Sequence, residues 1–161
     1  MIEIVPFNPA HLKHIEMQHD QTAACEWFDK EDYHELLLAG EAYTALHDGE
    51  VILCAGVFPT TKWIGTAWAL VSACAGPELL RASRAITDFL KKTSYARIET
   101  PVRRGFVNGH RWCRLMGFTN ETPDGMKYYG LEGETYDLYA YYPKELKRHG
   151  KAQPVQETKS T

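Results

Sequence analysis

Reactive side chains are densest between Arg97 and Arg114, where five arginines accompany a single acid, Glu99, together with His110 and Cys113. Glu99 is a lone carboxylate beside Ile98 and Val102 in a β-rich run, and this makes it the first candidate for a general base. The competing use of the same group is a solvent-facing partner for Arg97 or Arg103. His110 could assist, although a histidine on an arginine-rich helix is more commonly a surface residue. The local excess of cations would draw a small anion, and a solvated helix and loop have the same composition. Six tyrosines (Tyr128, Tyr129, Tyr136, Tyr139, Tyr141 and Tyr142) crowd the C-terminal part of the chain. Tyr129 or Tyr139 could serve as a proton-donating acid. From Tyr136 to Tyr142 the alternation puts aromatic rings on both faces of a strand, one for the core and one for a partner or substrate. Ordinary β-propensity explains part of this crowding.

His11, His14 and His19 with Glu16 invite a metal reading, because two imidazoles three residues apart share a helix face. No third ligand stands at a recognisable spacing and there is no His-Glu-x-x-His element, so an exposed polar face is expected there. The four cysteines (Cys25, Cys54, Cys74 and Cys113) form no C-x-x-C pair and read as reduced thiols of a cytoplasmic protein. Phosphate loops of the Gly-x-x-x-x-Gly-Lys-Ser/Thr type, Gly-x-Gly-x-x-Gly and Gly-x-Ser-x-Gly are all missing from the sequence. Nucleotide hydrolysis, dinucleotide redox chemistry and serine hydrolysis therefore lack support.

The 161 residues predict one domain, and 44% hydrophobic with 24% charged residues is the balance of a soluble globular protein. Net charge is −3, but residues 143–161 carry five Lys/Arg against two acids, leaving an acidic body and a basic tail. That distribution argues against nucleic-acid binding. No apolar run approaches the ~20 residues that cross a bilayer, so no membrane partner is expected. Met1-Ile2-Glu3-Ile4-Val5 does not read as a secretory leader. We expect a domain over 1–142 and a polar tail over 143–161.

Several elements must position these groups. Ile2 to Val5 reads as a strand. Asn8 with Pro9 opens a helix to about His19, and Asp29 caps a second helix through Ala39. Ala42–His47 and Val51–Phe58 flank Asp48-Gly49, a hairpin signal. Trp63 to Ala75 reads as a strand whose apolar second half is covered on both faces. Gly76-Pro77-Glu78 breaks it and starts a helix to about Lys92. Arg97–Val102 is a strand in which Pro101 implies an edge or a bulge. Phe106–Met116 is a helix ended by Gly117, and strands Met126–Leu131 and Thr135–Tyr142 close the domain.

This order, together with Arg97-Ile98-Glu99-Thr100-Pro101-Val102 and Arg111-Trp112-Cys113-Arg114-Leu115-Met116-Gly117-Phe118, resembles the GNAT superfamily of N-acetyltransferases. The Arg-Trp-x-x-x-x-Gly-Phe form and the opening Pro77-Glu78-Leu79-Leu80-Arg81 are similar to GNAT-like proteins of tailed phages, some described as internal virion proteins. The resemblance implies an α/β (α+β) sandwich with a central mixed sheet of about six to seven strands and helices on both faces. It also implies acetyl transfer from acetyl-CoA to a small-molecule or protein amine, with no metal. The pantetheine arm would pair with a splayed strand through Val71 and Ala73. The pyrophosphate would rest on the turn formed by Gly76 and Leu79, with Arg81 and Arg84 adding charge. Glu99 would then be the base and Tyr129 the acid. The turn Ala73-Cys74-Ala75-Gly76-Pro77-Glu78 departs from the family's Gln/Arg-x-x-Gly-x-Gly/Ala, and the family's frequent asparagine and tyrosine fall on Phe106 and Cys113. The alternative is a catalytically silent phage protein that acts by binding, as a virion component or a host-directed inhibitor in the host cytoplasm. It would use its C-terminal strands and tail for a protein partner or a second copy.

Overall fold

The computed structural model describes residues 1–19, 21 and 31–143. Their strands form a seven-stranded sheet in the order β1-β2-β3-β4-β5-β7-β6. In chain order the strands are β1 (Ile2–Pro6), β2 (Glu41–His47), β3 (Glu50–Pro59), β4 (Ile64–Val71), β5 (Arg97–Arg103), β6 (Thr119–Asn120) and β7 (Tyr136–Tyr141). The helices are α1 (Glu31–Leu38), α2 (Glu78–Lys92) and α3 (Val107–Leu115), with a 3-10 turn over Pro9–His14. Only β4 and β5 run parallel; every other neighbouring pair is antiparallel. The mixed sheet with helices on both faces is the architecture expected from the element order.

Two sets of alternating side chains build the two faces. On one, Trp68 and Leu70 of β4 pack with Leu12 of the 3-10 turn and Leu37 of α1. On the other, Ile98 and Val102 of β5 meet Leu90 of α2 and Cys113 of α3. The Asp48-Gly49 hairpin forms as its sequence predicts, with both residues at positive φ (51° and 86°). Gly117 ends α3 at φ 90°, and the Phe118 amide returns to the Cys113 carbonyl.

The structure corrects four boundaries. The helix expected to reach His19 is a 3-10 turn ending at His14; Ile15 is extended and buried, and Met17 bridges Ser72. His11 is consumed by capping: its Nδ1 accepts from the Asn8 amide and lies 2.8 Å from the Thr44 hydroxyl. The Trp63–Ala75 strand stops at Val71, because Ser72 folds into a turn in which its own Oγ and carbonyl accept from Cys74 and Ala75. Met126–Leu131 is no strand. Tyr128 and Gly125 take positive φ there, and a single Met126–Tyr136 bridge replaces the ladder. Thr119–Asn120 supplies the return strand instead. Pro101 is neither at an edge nor in a bulge: it lies in the interior strand β5, in register with Leu138 of β7. The expected Asp29 cap lies outside the described residues, as do residues 144–161 of the tail.

Candidate functional site

Strands β4 and β5 pair at only three positions, Ile64–Arg97, Gly65–Ile98 and Thr66–Glu99, and then diverge. The alternation of strand amides explains how Pro101 is tolerated. The Arg97 amide points to Trp63 on the β4 side and the Arg104 amide to Thr135 on the β7 side. Odd-numbered residues of β5 therefore face β4, and the N–H that Pro101 lacks falls in the stretch that β4 has left. The same alternation in β4, where the Ser72 amide goes to Ile52 of β3, turns Ala67, Ala69 and Val71 towards the gap.

A cleft of about 990 Å³ runs through this gap and beneath α2. Small side chains on its facing walls (Ala55, Ala67, Ala69, Ala82 and Ala85) leave the space unfilled. At one mouth the loop before β7 contributes Tyr129, Glu132 and Glu134 and β7 itself contributes Tyr136, with the Tyr129 and Tyr136 rings 5.4 Å apart. Burial and the nearby Glu134 push the Tyr136 phenol above its ordinary value, with Arg103 opposing, so it stays protonated at neutral pH.

The structure assigns each nominated residue a definite place. Val71 presents its amide to the gap, where it donates to Gln21 Oε1 at 3.0 Å; the Ala73 amide donates to the Glu16 carbonyl at 2.7 Å. Gly76 sits at φ 48° in the turn before α2. The Glu78, Leu79 and Leu80 amides donate to the carbonyls of Ala75, Gly76 and Pro77. Arg81 lies 3.3 Å from both oxygens of Glu78, so the cation is shared with the acid of the same turn. Arg84 lines a second, shallow groove with Leu80 and Leu115 on the outer side of α2 and α3.

Glu99 forms an ion pair with Arg97 at 2.8 Å, the competing use foreseen for it, and does not line the cleft. Arg97 also binds Glu121 at 2.7 Å and bonds the Tyr142 hydroxyl. Tyr129 lines the cleft mouth, half exposed. Glu99 is in register with Ala140, whereas the Tyr129 ring lies tilted against Tyr136, which is four residues or about 13 Å along β7 from Ala140. The structure does not bring this pair together.

His110 is buried, contrary to the surface position expected of it. Its Nε2 lies 3.0 Å from the carbonyls of both Arg103 and Arg104 and donates to them, and its Nδ1 lies 2.8 Å from the Tyr139 hydroxyl and 4.0 Å from the Asp137 carboxylate. Cys113 faces the cleft, but burial pushes its thiol up to about 12, with Arg114 opposing. Gln21 and the Glu132/Glu134 pair escape sequence reasoning: nothing in their spacing shows that they meet the cleft. No group of three or more metal-ligating side chains is assembled among the described residues.

No family model matches the sequence, and no curated protein is recognisably similar to it. Solved structures are similar in fold. The ribosomal-protein-S18-alanine N-acetyltransferase of Escherichia coli superposes with a TM-score of 0.63 at 16% identity, covering 99% of this chain and 100% of its own. A GNAT-family acetyltransferase of Bacillus anthracis gives 0.64 at 11%, covering 89% and 95%. A spermidine N-acetyltransferase chimera from Vibrio cholerae gives 0.69 at 10%, covering 91% and 98%. The fold is the GNAT fold. Within it, β4 and β5 are the diverging parallel pair, and the turn Gly76–Arg81 joins β4 to α2. The residues present fit acetyl-CoA in part. The β4 edge and the cleft suit an extended amide chain, whereas Pro77 without an N–H and Glu78 with its charge make a poorer phosphate cradle.

Proposed function

We propose that the protein is an acetyl-CoA-dependent N-acetyltransferase. The observation that carries this is the early divergence of two parallel strands, which leaves Ala67 and Ala69 of β4 facing a cleft bordered by α2 from Ala82 to Lys92. Bound acetyl-CoA supplies the activated acetyl thioester. The pantetheine amides would pair with β4 in the manner of an added strand, and Arg81 would meet the pyrophosphate once released from Glu78. The acceptor amine adds to the thioester carbonyl; the C–N bond forms, the nitrogen gives up a proton to a base or to water, the C–S bond breaks, and the thiolate takes a proton. Tyr129, at the cleft mouth, is the proton donor in this scheme. Glu99 can be the base only if its Arg97 pair opens.

A second reading is favoured by Pro77 and Glu78: a GNAT-like protein of phage type, working in host cytoplasm or virion, that keeps the fold and acts by binding. Its aromatic C-terminal strands and basic tail would be the contacts. Calorimetric titration with acetyl-CoA and, separately, CoA decides between the two. Saturable micromolar binding, weakened by Arg81→Glu, supports the first. Thiol release would then be followed with spermidine and an alanine peptide, the acceptor types named for two structural relatives. Absence of heat and of any thermal shift at millimolar ligand would refute it.

A further inference from the structure

Glu16, Met17 and Gln21 occupy the edge of β4 and of the two residues after it that the divergence exposes. Met17 bridges Ser72, and the Glu16 carbonyl takes the Ala73 amide at 2.7 Å. The Gln21 side chain then completes the imitation of a strand. Its Oε1 accepts from the Val71 amide at 3.0 Å, and its Nε2 donates to the Ala69 carbonyl at 3.0 Å. One primary amide thus satisfies a donor and an acceptor two residues apart on the same edge, as the amide of an adjacent strand would. Gln21 also lines the cleft.

We infer that Gln21 is a built-in competitor for the acetyl-CoA site, a side-chain amide that fills the β4 edge until the pantetheine amide displaces it. The inference rests on the acetyl-CoA reading above. The physical consequence is a penalty on affinity: the cosubstrate binds only the fraction of molecules in which Gln21 has left, so apparent Kd is raised by the inverse of that fraction. Removing the side chain lifts the penalty, because β4 is then hydrated and equally open in every molecule. Loss of its two hydrogen bonds corresponds to about a tenfold change in affinity.

The test uses the full chain and two variants. Gln21→Ala deletes the amide. Gln21→Leu keeps much of the volume but offers neither an acceptor to the Val71 amide nor a donor to the Ala69 carbonyl, so it also removes the contact without emptying the site. Hydrogen exchange at the Val71 amide and calorimetric titration with acetyl-CoA are read side by side. Both variants are expected to speed Val71 exchange and to bind acetyl-CoA about tenfold more tightly than the parent. Unchanged Val71 exchange would overturn the contact itself. Faster exchange with equal or weaker acetyl-CoA binding would overturn the competition and leave the acetyl-CoA reading standing. Faster exchange with no binding by parent or variants would overturn the acetyl-CoA reading, and the competition with it.

Discussion

Glu99→Gln separates a charge pair from a general base by magnitude. The Glu99 carboxylate sits 2.8 Å from Arg97 Nε with about a quarter of its side chain exposed, and Arg97 keeps Glu121 at 2.7 Å and the Tyr142 hydroxyl when Glu99 is neutralised. An amide at position 99 still accepts a hydrogen bond from Arg97, so only the charge of one of two carboxylates is lost. A partly exposed pair of this kind contributes about 0.5–1 kcal/mol. For a domain of this size that lowers Tm by about 1–4 °C. Removal of a general base costs about 10²–10⁴ in rate, or roughly 3–5 kcal/mol of barrier. The expected outcome is therefore a slightly lower melting temperature and an unchanged kcat for thiol release, measured with saturating acetyl-CoA and the amine acceptor that supports turnover. A hundredfold fall in kcat with Tm within about 1 °C of the parent would refute the argument. It would show that the Arg97 pair opens during turnover and that Glu99 reaches the amine.

Tyr139→Phe removes the hydroxyl partner of the buried His110 Nδ1, and should cost about 1–3 kcal/mol in urea unfolding; a loss under about 0.5 kcal/mol would show that the bond is not formed. Hydrogen bonds from Arg97 and Tyr142 hold the Glu121 carboxyl below its ordinary range. Its stabilising effect is full above the unfolded-chain value near pH 4.3 and lost as pH falls through the lower folded value. Glu121→Gln should therefore lower stability at neutral pH and flatten the acid limb of the stability profile, which thermal melts between about pH 2 and 7 would record. Burial pushes the thiols of Cys54 and Cys113 up to about 11 and about 12, so both should resist alkylation in the folded protein at pH 8, while exposed Cys74 is modified; peptide mapping reads the difference. Gly40→Ala should unfold or severely destabilise the domain, since a Cβ there overlaps the Val57 carbonyl oxygen and lies 2.8 Å from Phe58 Cα; a melting temperature within about 3 °C of the parent would contradict this packing.

Local chemistry in the chain was sufficient for most of the fold. Asp48-Gly49 specifies its hairpin because that turn needs two residues that tolerate positive φ. Gly117 ends α3 for the same reason, and the helical spacing of Ala82, Ile86 and Leu90 announces the buried stripe of α2. Each of these depends on residues within a few positions of one another. The order of such elements was enough to suggest the seven-stranded GNAT sheet.

The site depended on contacts that the sequence does not encode locally. Pro101 signals a missing strand partner, but only the pairing of β4 with β5 shows that the partner is lost within the sheet rather than at its edge. The Arg97–Glu99 pair is legible in the strand's two-residue repeat, but Glu121, which completes the cluster from another loop, is not. His110 looks like a surface histidine until α3 docks on β7 and buries it against Tyr139. Gln21 meets Ala69 and Val71 across about fifty residues of chain. Spacing and propensity decide which residues form strands and helices. Which amide faces which edge, and whether a carboxylate is free or paired, is decided only when distant segments close on one another, because hydrogen bonds and ion pairs act over a few ångströms whatever the separation along the chain.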